Sequence, residues 1–248
     1  MDYTLKMENT MNASSFPYRS NESGNVLFLI LLAVILFAAL SYAVTQSSRT
    51  GGGDASSESN LIRSSEITQY PAAVKTAMVR MVVNGKTYEE LKFNPPSAFA
   101  ALTDTTDGVF HPAGGSAVYQ TASPDIMDAG TAGTWYFNPN FEVQNIATST
   151  STAAGGNEFI AFLPGIKTSI CRKINEEVGI GTTIPTTSSV ASTDVDELFD
   201  NADSETIPAE TAIFGSAAAY GSALSGQPAG CFTASDSVNV YYQVLAER

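Results

Sequence analysis

Residues Val26 to Val44 (VLFLILLAVILFAALSYAV) run for nineteen positions without a charge, between a polar segment ending Ser23-Gly24-Asn25 and a stretch rich in Ser and Gly. At 1.5 Å per residue a helix of that length spans about 28 Å, close to the ~30 Å hydrocarbon thickness of a bilayer. The segment reads as a single membrane crossing, and everything beyond Thr45 as its tethered cargo.

Three fates of that segment differ in where the chain is cut. A secretory signal peptide has a shorter apolar region, of roughly 7 to 15 residues, and follows a shorter polar one, although Ser41 and Ala43 are small enough to support cleavage after Ala43. An uncut single-pass anchor is the second reading. The third rests on the Gly24/Asn25 junction, where a polar leader carrying Lys6 and Arg19 meets the apolar helix with no spacer between them. That junction resembles the class III signal of type IV pilins and pseudopilins.

The resemblance implies that a prepilin peptidase on the cytoplasmic face cuts after Gly24 and leaves Asn25 as the new N-terminus. It divides the chain into a leader (1–24), a transmembrane helix (25–45), a Ser/Gly-rich linker (46–59) and an extracytoplasmic globular domain (60–248). Its partners would be the lipid bilayer, the peptidase and other pilin or pseudopilin subunits, with the head on the periplasmic or extracellular side of the inner membrane. The family usually carries a Glu at the fifth residue after the cut, paired with a neighbouring subunit's terminal amine. Leu29 stands there, which points to a minor or tip component of a type IV pilus or type II secretion-like filament. Lys6 and Arg19 before the span nearly balance Arg49 and Arg63 after it, so the positive-inside rule does not set the orientation. Met1, Met7 and Met11 could each start the leader.

The chain holds 12 Lys and Arg against 25 Asp and Glu. Without the leader's Lys6, Arg19, Asp2, Glu8 and Glu22 the charge is about −12. Such a surface repels phosphate backbones, and no nucleic-acid partner is expected. Roughly 200 residues past the membrane, with 13 Phe, 10 Tyr and one Trp in the chain, suffice for one domain with a real core.

The two cysteines, Cys171 and Cys231, both lie in the cargo. An even pair outside the cytoplasm suggests a disulfide, two separate buried thiols being the alternative. The pilin resemblance implies the same, as a C-terminal disulfide loop. Neither cysteine lies in a CxxC motif, which argues against redox or metal chemistry.

Residues 46–59 include Gly51-Gly52-Gly53, each costing about 1 kcal/mol in a helix interior, so the anchor helix is expected to break or loosen there. From Asn60 to Val83 the pattern turns helical, with Ile67, Tyr70, Val74, Met78 and Met81 at spacings of three and four. Pro71 either kinks that helix or opens a second one, and Asn84-Gly85 stops it. Short apolar runs follow, with candidate strands at 117–120, 134–138, 158–163 and 238–245. The last alternates poorly and is expected inside the sheet. Gly165 to Val178 places Ile166, Ile170, Ile174 and Val178 every fourth residue, a short amphipathic helix capped by Gly179. Residues 104–131, 145–157 and 181–230 read as long loops. The order implies an α+β head with one antiparallel sheet packed on a helix and a disulfide in its C-terminal part.

Catalytic constellations are short of supply, and the chain reads as non-catalytic with no cofactor. His111 is the single histidine, and no GxSxG elbow accompanies it. Two distant cysteines and one histidine do not make an ordinary zinc site. The acidic run at Asp194, Asp196, Glu197 and Asp200, continuing to Asp203 and Glu205, offers weak candidates for calcium. It lacks the EF-hand glycine and is interrupted by Leu198-Phe199, so a solvated acidic segment and no required metal are expected. No glycine run has the setting of a phosphate-binding loop. The rival to a filament subunit is a membrane-anchored ligand-binding or adhesion domain that does not polymerise. A carboxylate hydrolase would need a cleft with two facing carboxylates of raised pKa.

Overall fold

A computed structural model describes residues 23–147, 157–200 and 212–247; for residues 23–25 and 46–57 it describes the backbone alone. The leader up to residue 22, with its three Met starts and its charges, lies outside them, as do Asp203 and Glu205. The chain divides into two compact units between Asp54 and Ala55, inside the Ser/Gly-rich stretch.

Helix α1 runs Ser23–Val83. Its backbone stays helical through Gly51–Gly53, where the glycine run predicts a break, and through Pro71, which neither ends it nor starts a second helix. Propensity is a weak prior: three glycines disfavour a helix without forbidding one. The Asn84-Gly85 stop holds, with Gly85 at φ +101° and the Lys86 amide donating to the Met81 carbonyl.

The 55–248 unit is α+β. Among the described residues five strands, β1 Tyr136–Val143, β2 Glu158–Pro164, β3 Ala212–Phe214, β4 Ala229–Thr233 and β5 Asn239–Ala246, form one sheet in the order β3-β1-β2-β5-β4. Helix α2 spans Thr168–Glu177, and two short 3-10 turns lie at Pro96–Ala101 and Ser222–Leu224. The sheet is mixed, not antiparallel throughout, because β3 pairs parallel with β1 while the other pairs are antiparallel. A parallel neighbour needs a long crossover, and the connection from β1 to β3 passes through β2, α2 and the loops beyond.

Strands β2 and β5 lie where the sequence places them, and β5 is interior. Strand β1 is shifted two residues and runs on to Val143, because Asn138-Pro139-Asn140 is a bulge and not a turn. The β1–β2 register slips between Asn138 and Phe141, and a bulge tolerates a proline that has no N–H to give. Residues 117–120 are not a strand: the Ala117 amide donates to the Val109 carbonyl and the Gln120 amide to the Tyr70 hydroxyl. Strand β3 falls within the 181–230 stretch read as loop, and β4 starts at its end and runs three residues beyond it.

The two faces of the sheet have different covers. On one, the α1 stripe of Ile67, Tyr70, Val74, Met78 and Met81 joins α2's Ile170 and Ile174 over Phe137, Phe159, Leu163 and Tyr241. On the other, Phe141, Phe162, Phe214, Phe232 and Tyr242 pack beneath loop residues Val190, Val195 and Leu224. Phe214 stacks on Phe141 and on Tyr242, with ring centres 5.3 and 5.7 Å apart. Burial on both faces explains why β5 alternates poorly: Val240 and Tyr242 face the loops, Tyr241 and Leu245 the helices.

Candidate functional site

The apolar run lies in the first unit. Val26–Thr45 is long and apolar enough to cross a membrane, and its side chains are exposed, Phe37 at 74% and Leu32, the least, at 44%. Gly24 and Asn25 precede it within α1. An exposed helical surface of this size, apolar all round, needs lipid or protein around it.

Cys171 and Cys231 form the disulfide, their Cα atoms 5.5 Å apart, which joins α2 to β4. One helical turn on, the buried Asn175 makes a second link that the sequence reading missed. Its Nδ2 donates to the Cys231 carbonyl and its Oδ1 accepts from the Cys231 amide, both at 2.8 Å. β4 is an edge strand, and edge strands expose unpaired backbone groups. Asn175 supplies the missing neighbour at Cys231, and the segment Pro185–Thr187 does so at Thr233. α2 is also tied to α1 through Ser64, whose hydroxyl donates to Glu177.

The acidic run is dispersed. Asp194 accepts from the Ala191 amide at 2.7 Å, Glu197 accepts from Asn140 Nδ2 at 2.6 Å, and Asp196 is exposed. Among the described residues no group of three His, Cys, Asp or Glu is placed to hold a metal. His111 accepts the Ala113 amide through Nδ1 at 3.1 Å and meets Phe99 edge-on, a turn-forming position.

Two polar features could not be found by motif. At one end of the β1–β2 pair, Glu142 and Glu158 are fully buried. Glu158 accepts the Val143 amide at 2.8 Å through Oε2, in place of a strand partner. Among the described residues, its other oxygen and both oxygens of Glu142 have no hydrogen-bond partner. Burial, reinforced by the charges of Glu142 and Glu247, pushes the Glu158 carboxyl up to about 8 against the opposing Val143 bond. A carboxyl so placed is a neutral acid at pH 7.

At the other end of the sheet lies a cleft of about 520 Å3. Its walls are the 127–134 loop, the first turn of α2, the 192–196 segment and the β4–β5 turn, with Tyr136 of β1 and Pro164 of β2 at the sheet edge. Asp128 and Asp196 carry the carboxylates there; Glu158 is not among its lining residues. Burial first, and then the Asp196 charge, raises the Tyr136 phenol above its ordinary value, so the cleft presents a protonated hydroxyl. No family model, curated protein or solved structure matches the chain.

Proposed function

We propose that the chain is a pilin-like or pseudopilin-like structural subunit, a minor or tip component of a type IV pilus or type II secretion-like filament. Prepilin peptidase removes the leader after Gly24, Asn25 becomes the N-terminus, and the helix resides in the inner membrane until assembly. The acidic, disulfide-stapled head lies on the periplasmic or extracellular side. The function is assembly and not catalysis: apolar helices of neighbouring subunits cover one another when withdrawn from lipid, burying surface at roughly 25 cal/mol per Å2.

The observation that carries this reading is one helix with two roles. α1 begins beside Gly24, presents an exposed apolar span at Val26–Thr45, and then supplies the Ile67–Met81 stripe to the head's core. A detachable address has no need to continue into the fold it delivers. Leu29 in place of the family's acid fits a minor or tip position, and the second reading is a membrane-anchored adhesion or ligand-binding domain that never polymerises and needs no such acid.

Mass spectrometry of the N-terminal peptide of membrane-purified protein tests both. An Asn25 terminus, methylated in particular, supports processing, and Gly24→Leu should then migrate as the uncut precursor. A terminus at Met1, Met7 or Met11 supports the uncut anchor, and one at Val44 refutes both. Recovery of the protein in sheared surface filaments separates a subunit from an anchored monomer.

A further inference from the structure

We infer that the cleft at the sheet's end binds a neutral polyhydroxylated ligand, a short oligosaccharide, through Asp128, Thr134, Tyr136, Asp196 and Ser237. This stands independently of whether the chain polymerises.

The lining selects the chemistry. Thr131, Thr134 and Ser237 line the cleft together with Asp128 and Asp196, and half-buried Tyr136 lies on its wall, its hydroxyl hydrogen-bonded to Thr134. Among the described residues no Lys, Arg or His lines the cleft. Two carboxylates with no ion pair among the described residues, on a chain of net charge −13, repel anions. The lining is too polar for a lipid, and two carboxylates fall short of a calcium site's six to eight oxygens. What remains matched is a ligand whose vicinal hydroxyls donate to carboxylates, accept from Thr, Ser and Tyr hydroxyls, and lay a C–H face on an aromatic ring.

The walls are held in place before any ligand arrives. The amides of Gly165 and Ile166 both donate to the Asn239 carbonyl, and the Asp128 amide donates to the Gly165 carbonyl. Asn239 Nδ2 reaches Thr168 Oγ1 at 2.9 Å, and Ser192 Oγ reaches Asp236 at 2.5 Å. These bonds join four separate segments and leave the carboxylates of Asp128 and Asp196 to the cleft.

Ser237 lies on the wall shared with the neighbouring hollow. It adopts φ +70° in the β4–β5 turn, the left-handed region where glycine is the favoured residue. A serine there opposes the turn's preference and puts a hydroxyl on the cleft wall. A second hollow of about 420 Å3 adjoins, sharing Thr168, Ser237 and Asn239 with the first and lined beyond them by Arg172, Thr182, Thr183, Ile184 and Thr233. Two hydroxyl-rich hollows across a shared ridge suit a chain of two or more sugar units.

The test is saturation-transfer NMR on the full chain in a detergent without a sugar headgroup. The probes are glucose, galactose, mannose, N-acetylglucosamine, lactose and cellobiose, with glucuronate and sialic acid as anionic counterparts. At least one neutral sugar is expected to bind, a disaccharide more tightly than its monosaccharide, and the anionic sugars more weakly than the neutral ones, because the carboxylates of Asp128 and Asp196 outnumber the one cation, Arg172, of the adjoining hollow. Asp196→Asn should weaken binding about 10- to 100-fold, the range of a lost hydrogen bond to a charged group. Ser237→Gly should weaken it about two- to tenfold while holding or raising the melting temperature, a divergence that a merely structural serine would not give. Asp104→Asn, remote from the cleft on the Lys86 pair, should leave binding unchanged. Absence of any neutral-sugar signal at about 20 mM, roughly twenty times a 1 mM dissociation constant, would overturn the assignment. So would binding that survives both Asp196→Asn and Ser237→Gly.

Discussion

Glu158 makes the head unusual in how its stability should follow pH. Its folded-state pKa of about 8 lies above the ordinary 4.5, so folding takes up a proton anywhere between those values. For a carboxyl raised in this way the contribution is favourable and complete below pH 4.5. It is lost progressively as pH rises toward 8 and is absent above it. Taken whole, a shift from 4.5 to about 8 corresponds to about 5 kcal/mol. Glu158 sits at the end of a strand pair, where relaxation toward water screens the charge, and about 2–3 kcal/mol is the working figure. In a domain of this size that is a fall in melting temperature of about 5–10 °C between pH 5 and 9. Asp104 and Asp236, held below the ordinary range by hydrogen bonds from Thr106 and Ser192, act below pH 4 and in the opposite sense, so the windows do not overlap. Glu158→Gln keeps an acceptor for the Val143 amide and removes the titration. Thermal melts of the full chain in detergent, followed by near-UV circular dichroism, should show the variant less stable than wild type at pH 5 and more stable at pH 9. Glu142→Gln should move the wild-type fall to lower pH by removing a repelling charge. Parallel melting curves for wild type and Glu158→Gln across this range would refute the reasoning.

Asn175→Ala strands the buried amide and carbonyl of Cys231 and should cost about 2–4 kcal/mol with the disulfide intact, read as a shift of the urea midpoint. Replacing Cys171 and Cys231 together by Ala reopens a loop with a sequence separation of 60 and should cost about 2–5 kcal/mol in the same assay. Met78, 1% exposed, and Val79, 48% exposed, test the register of the α1 stripe. Met78→Ala should cost about 2–5 kcal/mol and Val79→Ala less than about 0.5. Equal losses at the two positions would mean that the stripe faces elsewhere.

What could be read from the sequence was what depends on near neighbours. The α1 stripe, α2 with its Gly179 cap, β2 and β5 all follow from residues within one or two turns or one strand, and the cysteine pairing needed only two candidates. What could not be read depends on distant ones. β4 reads as Ala-Gly-Cys-Phe-Thr, too small and too short to alternate, because a Cβ at Gly230 would come within 2.6 Å of Ile180 Cδ1. β3 is three residues long and is a strand because β1 lies beside it. The Asn175 clamp joins residues 56 apart, and nothing in NEEV distinguishes that amide from a solvated one. The acidic run looked like a cluster because it is contiguous. Folding sends Asp194 to cap its own turn, Glu197 to Asn140 and Asp196 to the cleft. Two glutamates sixteen residues apart in the sequence are ordinary until the β1–β2 pairing buries both.

The unequal covers of the sheet give the head a division of labour. The helix-covered face carries the α1 stripe and so belongs to the element that also holds the apolar span. The loop-covered face relies on aromatic stacking around Phe214, and the irregular segments that cover it supply the Ser192–Asp196 wall of the cleft. Loops can vary their side chains without disturbing a periodic stripe, whereas α1 cannot change its inward residues without losing the core. Under the two proposals, attachment and recognition rest on different residues. If both proposals hold, Gly24→Leu should abolish processing and leave sugar binding intact, and Asp196→Asn should do the reverse. Loss of both activities in either variant would mean that the two depend on one state of the chain, and separate roles for helix and loops would have to be abandoned.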